Sequence, residues 1–310
     1  MRVLVTGATG FAGQWLIREL AAAGHDAIGT PRSTDLDIMD EAAVAAFVGA
    51  ARPDAVAHLA GVSYGPDARR DPDLALAINE GGTHSVMAAV AGLATARSAS
   101  VPVLLVSSSE VYGRPALADL PLGESAPLST DQPYGLSKLA QERVAFEFER
   151  SRHVPVVVAR AFNHAGPGQR PEFVVPALAA RIVEAATSGG RTVHAGNVDV
   201  QRDFSDVRDV VRAYRLLLEC LVAARLPPAP RVYNVASGRA VSIRGIIDRF
   251  AALAGIDVTI TIDPALVRAE DPPEIRGDPT RITADVGWRP TIPLEATLAD
   301  VLAEARSAGG

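Results

Sequence analysis

The sequence predicts an α/β fold, a doubly wound parallel sheet with a smaller C-terminal lobe. Three observations predict it. Short β-rich runs alternate with longer helical stretches through the first half of the chain. Those runs are apolar throughout, as strands buried on both faces are. A glycine-spaced segment, TGATGFAG at 6–13, stands between the first strand and the first helix, where a Rossmann-like sheet takes a dinucleotide.

The elements follow in order. RVLVT (2–6) is the first strand, and the runs at 25–30, 54–59, 101–107 and 154–159 are the next four. The first helix begins near Phe11, carries Trp15, Leu16 and Leu20 at turn spacing, and stops at Gly24, a C-terminal cap. Further helices are expected at 41–51, 73–96 and 133–152, and the alternation implies right-handed crossovers. Beyond residue 165 the pattern loosens. Helices are expected after Phe173, at 207–223, 242–254 and 294–305, with strands at 231–237 and 258–262 and a Pro- and charge-rich loop at 263–279. The expected division is a dinucleotide-binding unit at 1–165, completed by segments around 200–237, and an interleaved substrate-binding lobe at 166–310.

Composition narrows the function. The chain has 310 residues, is 48% hydrophobic and 21% charged, and carries a net charge of −6, which argues against a general nucleic-acid binder. It shows no apolar run long enough to span a membrane and no secretory signal pattern. The single cysteine, Cys220, lies in an apolar run and reads as core packing. These features fit a reducing, cytoplasmic setting. No Cys/His grouping has metal spacing.

Gly7, Gly10 and Gly13 let the backbone approach a pyrophosphate, and the helix start supplies unpaired N–H groups. The second strand runs into Gly29-Thr30-Pro31-Arg32-Ser33. A ribose 2′-hydroxyl is usually held there by an acid, and a 2′-phosphate needs arginine. Arg32 therefore favours NADP(H) over NAD(H). Asp37 and Ile38 are then expected beside the adenine.

PYGLSKLAQ (133–141) holds the only lysine of the chain, Lys138; the other twenty-nine basic residues are arginine. It follows Tyr134 by four, so both project from one helix face. A compact ammonium there favours the phenolate and is expected to lower the Tyr134 pKa toward neutrality. Leu136, Ala140, Val144 and Phe148 form a separate apolar stripe expected to dock the helix. The fourth strand ends in VSSSEVYG (106–113), which places Ser107, Ser108 and Ser109 at the carboxyl end of a parallel strand.

TGATGFAG, HLAG (58–61), SSSEVYG, PYGLSK, RAFNHAGPGQ (160–169), GNVDVQRDFSDVRDVVRAY (196–214), VYNVASG (232–238) and the RGDPTRI/GWRP pair (276–282, 287–290) together resemble the extended short-chain dehydrogenase/reductases acting on nucleotide sugars. Within them the set looks most like the GDP-4-keto-6-deoxy-mannose reductases, with the GDP-mannose 4,6-dehydratases as near relatives. The resemblance implies reduction of a C4 carbonyl with Tyr134 as proton donor, Lys138 tuning it and holding the nicotinamide ribose, and Ser108 bonding the same oxygen. It implies a cofactor path along Gly7, Thr9, Gly10, Phe11, Ala12 and Gly13, then Leu59, Ala60, Gly61 and Asn79. It implies substrate contacts at Ser109, Asn163, Val174, Arg202 and Arg268, the two arginines on the diphosphate of a GDP-sugar. The family pattern has proline after that second arginine, where Ala269 stands here. A homodimer through the helices before and containing Tyr134 is the family's usual assembly.

Glu110 keeps a second reaction open. In the dehydratases a glutamate at this place moves a proton during loss of water, and a simple reductase does not need it. A 4,6-dehydratase or 4-epimerase is the alternative, and a non-catalytic NADP-binding sensor the remote one. Asn163 could instead cap a turn. His58 and His164 read as structural, and Asp206, Arg208 and Asp209 as an ion-pair network at a helix start.

Overall fold

The computed structural model describes residues 1–267 and 271–308. In chain order the first half contains β1 (Arg2–Thr6), α1 (Phe11–Ala22), β2 (Asp26–Gly29), α2 (Glu41–Ala51), β3 (Ala55–His58), α3 (Gly65–Arg70), α4 (Pro72–Leu76), α5 (Gly82–Arg97), β4 (Val103–Ser108), α6 (Pro133–Arg152) and β5 (Val156–Ala161). The second half contains β6 (Asn163–Ala165), α7 (Val174–Ser188), β7 (Thr192–Ala195), β8 (Gln201–Asp206), α8 (Val207–Val222), β9 (Val232–Val235), β10 (Ala240–Ser242), α9 (Ile243–Ala254), β11 (Thr259–Ile262), β12 (Glu274–Ile275), α10 (Thr280–Val286) and α11 (Leu294–Ala308).

Six parallel strands form the main sheet in the order β2-β1-β3-β4-β5-β9. Apolar side chains cover both faces. Leu16 and Leu20 of α1 with Tyr214 and Leu217 of α8 pack on one face. Val44 and Val48 of α2 with Val86 and Val90 of α5 pack on the other. This double burial is why β4 and β5 read as unbroken apolar runs. Strand order reverses between β1 and β3, and a ligand crevice opens at such a switch point.

A second core gathers Leu178 and Ile182 of α7, Ile246 and Phe250 of α9, and Leu298 and Val301 of α11. There β8 pairs with β10, β12 and β6, and β7 pairs with β11. Strands β6, β7, β8, β10 and β12 have no counterpart in the sequence reading, and β12 falls within the loop expected at 263–279. β8 is QRDFSD, too polar to announce itself as a strand. Asp203 replaces a hydrophobe there: it is fully buried and accepts hydrogen bonds from the backbones of Ser237, Gly238 and Gly277.

Two expectations need correction. The helix expected at 73–96 is interrupted by a π turn, Ala77–Gly81, which carries Asn79. On α6, Ala140 and Val144 are buried, but Leu136 is 47% exposed. The face turned to the sheet carries Ser137, Lys138, Gln141 and Glu142 instead, because the strands there offer polar partners to meet them.

Candidate active site

The site grows from the loops at the carboxyl ends of β1, β3 and β4. Gly7 has φ +68, and a Cβ on it would lie 2.8 Å from the Ala60 nitrogen. A Cβ on Gly13 would lie within 3 Å of Gly7 and Ala8 backbone atoms. The β1 and β3 loops therefore meet with no room for side chains, and the start of α1 is left open to the crevice.

At the end of β4, Ser108 accepts a hydrogen bond from the Glu110 backbone at 3.2 Å, and its side chain acts on the Tyr134 phenol, lowering its pKa. Pro133 at the first turn starts α6 in register. A Cβ on Gly135 would fall 2.6 Å from the Glu110 carbonyl oxygen. Only glycine lets α6 press this closely on the β4 turn and bring Tyr134 to Ser108.

Lys138 is 4% exposed. Its Nζ donates to the Val106 carbonyl at 3.1 Å and to Gln141 Oε1 at 2.7 Å, and lies 5.9 Å from the Tyr134 ring centre. Burial pulls its pKa down to about 8, against the raising effect of Glu142. For Tyr134 burial is again the largest effect and pushes the pKa up; the Ser108 hydrogen bond lowers it, and the Glu110 charge raises it. The expected lowering by Lys138 is thus overturned. The amine is turned to two carbonyl oxygens, and the hydroxyl is desolvated deeply enough to hold its proton.

Beneath the pair lies a buried ionic floor. Arg160 grips Glu142 through Nε at 3.0 Å and Nη2 at 2.8 Å, while Ser107 donates to Glu142 at 2.6 Å. Arg160 also donates to the Tyr112 hydroxyl, which donates to Asn234. β4, α6, β5 and β9 are thereby tied together. His58 is buried, while His164 is half-buried and lines the cleft. Burial, then Lys138, drives His58 to about 3, and burial lowers His164. Asp206 caps α8 and pairs with Arg208, and Asp209 pairs with Arg212.

One cleft of about 1460 Å³ collects nearly all of the expected residues. Its wall includes Gly7, Thr9, Gly10, Phe11, Ala12, Gly13, Asp37, Ile38, Leu59, Ala60 and Gly61. Ser108, Ser109, Glu110, Tyr134 and Lys138 line it as well, and so do Asn163, Val174 and Arg202. Arg32 is exposed on an adjoining hollow shared with Thr9 and Ser33. Asn79 is the exception. It is fully buried and off the wall, bonded to the Val62 backbone and to Ser137, so it braces the β3 loop instead of touching the cleft. Arg202 reaches the cleft but is paired with Asp271 at 2.5 Å. Arg268 lies outside the described residues.

Sequence reading missed Arg69, Arg114, Arg170 and Arg181, which also line the cleft. With Lys138 and Arg202 they make six cationic side chains against four carboxylates, Asp37, Glu110, Glu172 and Asp271. That reverses the sign of a protein with net charge −6 and suits an anionic ligand. Tyr64, Arg170 and Phe173 stack over one edge, with Tyr64 and Phe173 ring centres 4.9 Å apart. Those four arginines are scattered single positions outside every recognised motif, whereas other wall residues such as Gln169, Phe204 and Tyr214 stood inside one. Among the described residues no group of three or more His, Cys, Asp or Glu could hold a metal ion, and no helix is long and apolar enough to cross a membrane.

Comparison with known proteins places this arrangement. The chain is 37% identical over 305 residues to the GDP-6-deoxy-D-mannose reductase of Pseudomonas aeruginosa, covering 98% of this chain and 96% of that one. It is 22% identical to a GDP-mannose 4,6-dehydratase of Vibrio cholerae, over 97% and 92% of the two chains. The structure of RMD from Pseudomonas aeruginosa complexed with NADPH superposes with a TM-score of 0.88 at 36% identity, covering 99% of both chains. The model of the NAD dependent epimerase/dehydratase family matches residues 3–236, and the chain belongs to that family.

Proposed function

We propose that this protein uses NADPH to reduce the 4-keto group of a nucleotide-activated 6-deoxy sugar, GDP-4-keto-6-deoxy-mannose. One observation carries the reading: a single cleft is lined by the glycine crevice, by Ser108, Tyr134 and Lys138, and by five arginines. The likeness to a GDP-6-deoxy-D-mannose reductase and to an NADPH-bound structure supports the choice of substrate and cofactor.

The residues fit the dinucleotide. Gly7, Gly10 and Gly13 would take its pyrophosphate, Arg32 the 2′-phosphate, Asp37 and Ile38 the adenine, and Lys138 the nicotinamide ribose. When bound, NADPH supplies the hydride. Tyr134, held protonated by burial, gives its proton to the C4 oxygen, and Ser108 donates a hydrogen bond to that oxygen. Lys138 offsets the phenolate left behind. Asn163, Ser109 and Val174 would face the sugar nucleotide. A bound diphosphate would compete with Asp271 for Arg202. Residues 1–165 with β8, α8 and β9 would form the dinucleotide-binding unit and the remaining segments the substrate lobe. Exposed Leu74, Leu76 and Leu136, on adjoining helices, would form the contact of a homodimer.

The test is absorbance of the reduced cofactor on mixing purified protein with NADPH and GDP-4-keto-6-deoxy-mannose. Oxidation is expected, and Tyr134→Phe should abolish it while the cofactor still binds; near-normal turnover of that variant removes the acid assignment. A second reading rests on Glu110, which lines the cleft and acts on the Tyr134 phenol. Conversion of GDP-mannose to a 4-keto product without added reductant would favour a dehydratase.

A further inference from the structure

Three buried side-chain atoms among the described residues have no hydrogen-bond partner: Tyr214 OH, Gln169 Oε1 and Ser205 Oγ. Tyr214 and Gln169 belong to the cleft wall; Ser205 does not. A buried, unbonded polar atom costs stability. Two in one wall, with opposite hydrogen-bonding character, point to a ligand that satisfies both.

Their surroundings locate them. Tyr214, on α8, is fully buried, and Phe11 at the start of α1 packs on the same cluster. It lies within electrostatic reach of the Tyr134 phenol, which puts it at the reacting end. Gln169 follows β6. Its Nε2 donates to the His164 carbonyl at 3.0 Å, which leaves Oε1 as the unbonded atom. His164, whose carbonyl Gln169 bonds, stacks on Phe11 at 6.0 Å, and Phe11 packs on the core cluster that holds Tyr214. Burial first, then the Tyr134 charge, raises the Tyr214 pKa far above the ordinary tyrosine value. Its hydroxyl therefore stays a donor.

We propose that Tyr214 and Gln169 recognise the carboxamide of the nicotinamide. Tyr214 OH donates to the amide carbonyl, and Gln169 Oε1 accepts from the amide N–H. This rests on the cofactor reading above. An amide is the group that presents one acceptor and one donor side by side, and a ring held at both is fixed in the face it shows to the substrate. Neither residue moves a proton in the reaction; both are positioning residues.

The test is equilibrium binding followed by nicotinamide fluorescence or calorimetry, with three probes. These are NADPH, 2′-phospho-ADP-ribose, which lacks the nicotinamide, and reduced 3-acetylpyridine adenine dinucleotide phosphate, which keeps the carbonyl but lacks the N–H. Tyr214→Phe should weaken NADPH and the acetylpyridine analogue by about fivefold to tenfold, the worth of one hydrogen bond, and leave 2′-phospho-ADP-ribose unchanged. Gln169→Met should weaken NADPH alone. Equal losses for all three probes, or no loss for NADPH, overturn the assignment. The apo protein gives a second measurement. Tyr214→Phe should not lower its melting temperature, because the hydroxyl has no internal partner to lose; a fall of several degrees overturns the proposal. If the wild type binds NADPH and 2′-phospho-ADP-ribose but the variants show equal losses or none, only this inference falls. If it binds no dinucleotide at all, the functional reading falls and takes this one with it.

Discussion

Replacing Glu142 by glutamine probes the ionic floor of the site. The carboxylate is 3% exposed and accepts from Ser107 at 2.6 Å and from Arg160 at 3.0 and 2.8 Å. Glutamine keeps the volume, removes the charge, and turns one acceptor into a donor facing a guanidinium. Arg160, 4% exposed, would keep the Tyr112 hydroxyl, the Glu124 carbonyl and one amide oxygen as acceptors, with no carboxylate to balance its charge. Breaking a buried pair from one side costs about 3–5 kcal/mol. At about 2.1 cal/mol/K of unfolding entropy per residue, a chain this long has about 0.65 kcal/mol/K, so the melting temperature should fall by about 5–8 °C. Scanning calorimetry checks the first effect. The second is on activity. Glu142 holds the Lys138 pKa up against burial, so its loss should move the alkaline limb of kcat/KM to lower pH. Replacing both Glu142 and Arg160 by methionine should cost less than Glu142→Gln alone, since no charge is stranded. A melting temperature within about 1 °C of wild type, or an unmoved alkaline limb, would refute the argument.

Gly13→Ala would set a Cβ among backbone atoms of Gly7 and Ala8, the Ala8 Cα only 2.8 Å away. The loop must open by about 1 Å, and dinucleotide affinity should fall by about 100-fold in a binding titration; unchanged affinity would remove the crevice from the site. Lys138→Arg should be severely impaired although it keeps the charge, because a planar fork cannot meet both the Val106 carbonyl and Gln141 from this buried position; single-turnover rates decide it. In the wild type, activity should decline above about pH 8 as the depressed lysine loses its proton. Stability should move the other way across that range. Above about 8 the folded protein has shed a proton that the unfolded chain keeps up to the ordinary lysine value, so unfolding free energy rises with pH in that window. Leu136→Arg should convert a dimer to monomer in analytical ultracentrifugation, and an unchanged sedimentation coefficient would discard the proposed contact.

The legible parts of the fold were those whose side chains obey one rule along their whole length. α2 and α6 run over 41–51 and 133–152, as their patterns indicate. Strands β1, β3, β4 and β5 follow from apolar runs buried on both faces, while β2, expected as a buried strand, is a half-exposed edge strand. β8 stayed hidden because its sequence is mostly polar and its buried Asp203 is satisfied by Ser237, Gly238 and Gly277 from distant segments. The exposure of Leu136 has the same origin: the face of α6 that docks is decided by hydrogen-bond partners on β4 and β5, which no periodicity in α6 itself records. In the site, a lone lysine four residues after a tyrosine was a local signal. The direction of the Tyr134 pKa was not, since burial, Ser108 and Glu110 act together only after β4 and α6 meet.

The same polar face explains why cofactor crevice and reacting pair form one unit. Lys138 donates to Gln141 Oε1, and Gln141 Nε2 donates to Thr83 at 2.7 Å. Thr83 spends its proton on the Asn79 carbonyl at 2.7 Å, so at 3.0 Å His58 Nε2 must be its donor. His58, held neutral by burial, then has only an acceptor left at Nδ1, and Thr6 donates to it at 2.7 Å. Thr6 Oγ1 in turn accepts from the Leu59 and Ala60 backbones at 3.2 and 3.1 Å. Each step has one permitted direction, so the His58 tautomer is fixed by its neighbours without any hydrogen being seen. A protonated His58 would have two donors and nothing to receive the Thr6 proton. Burial that forbids that charge therefore also holds the β3 loop against Gly7, at the distance where only glycine fits.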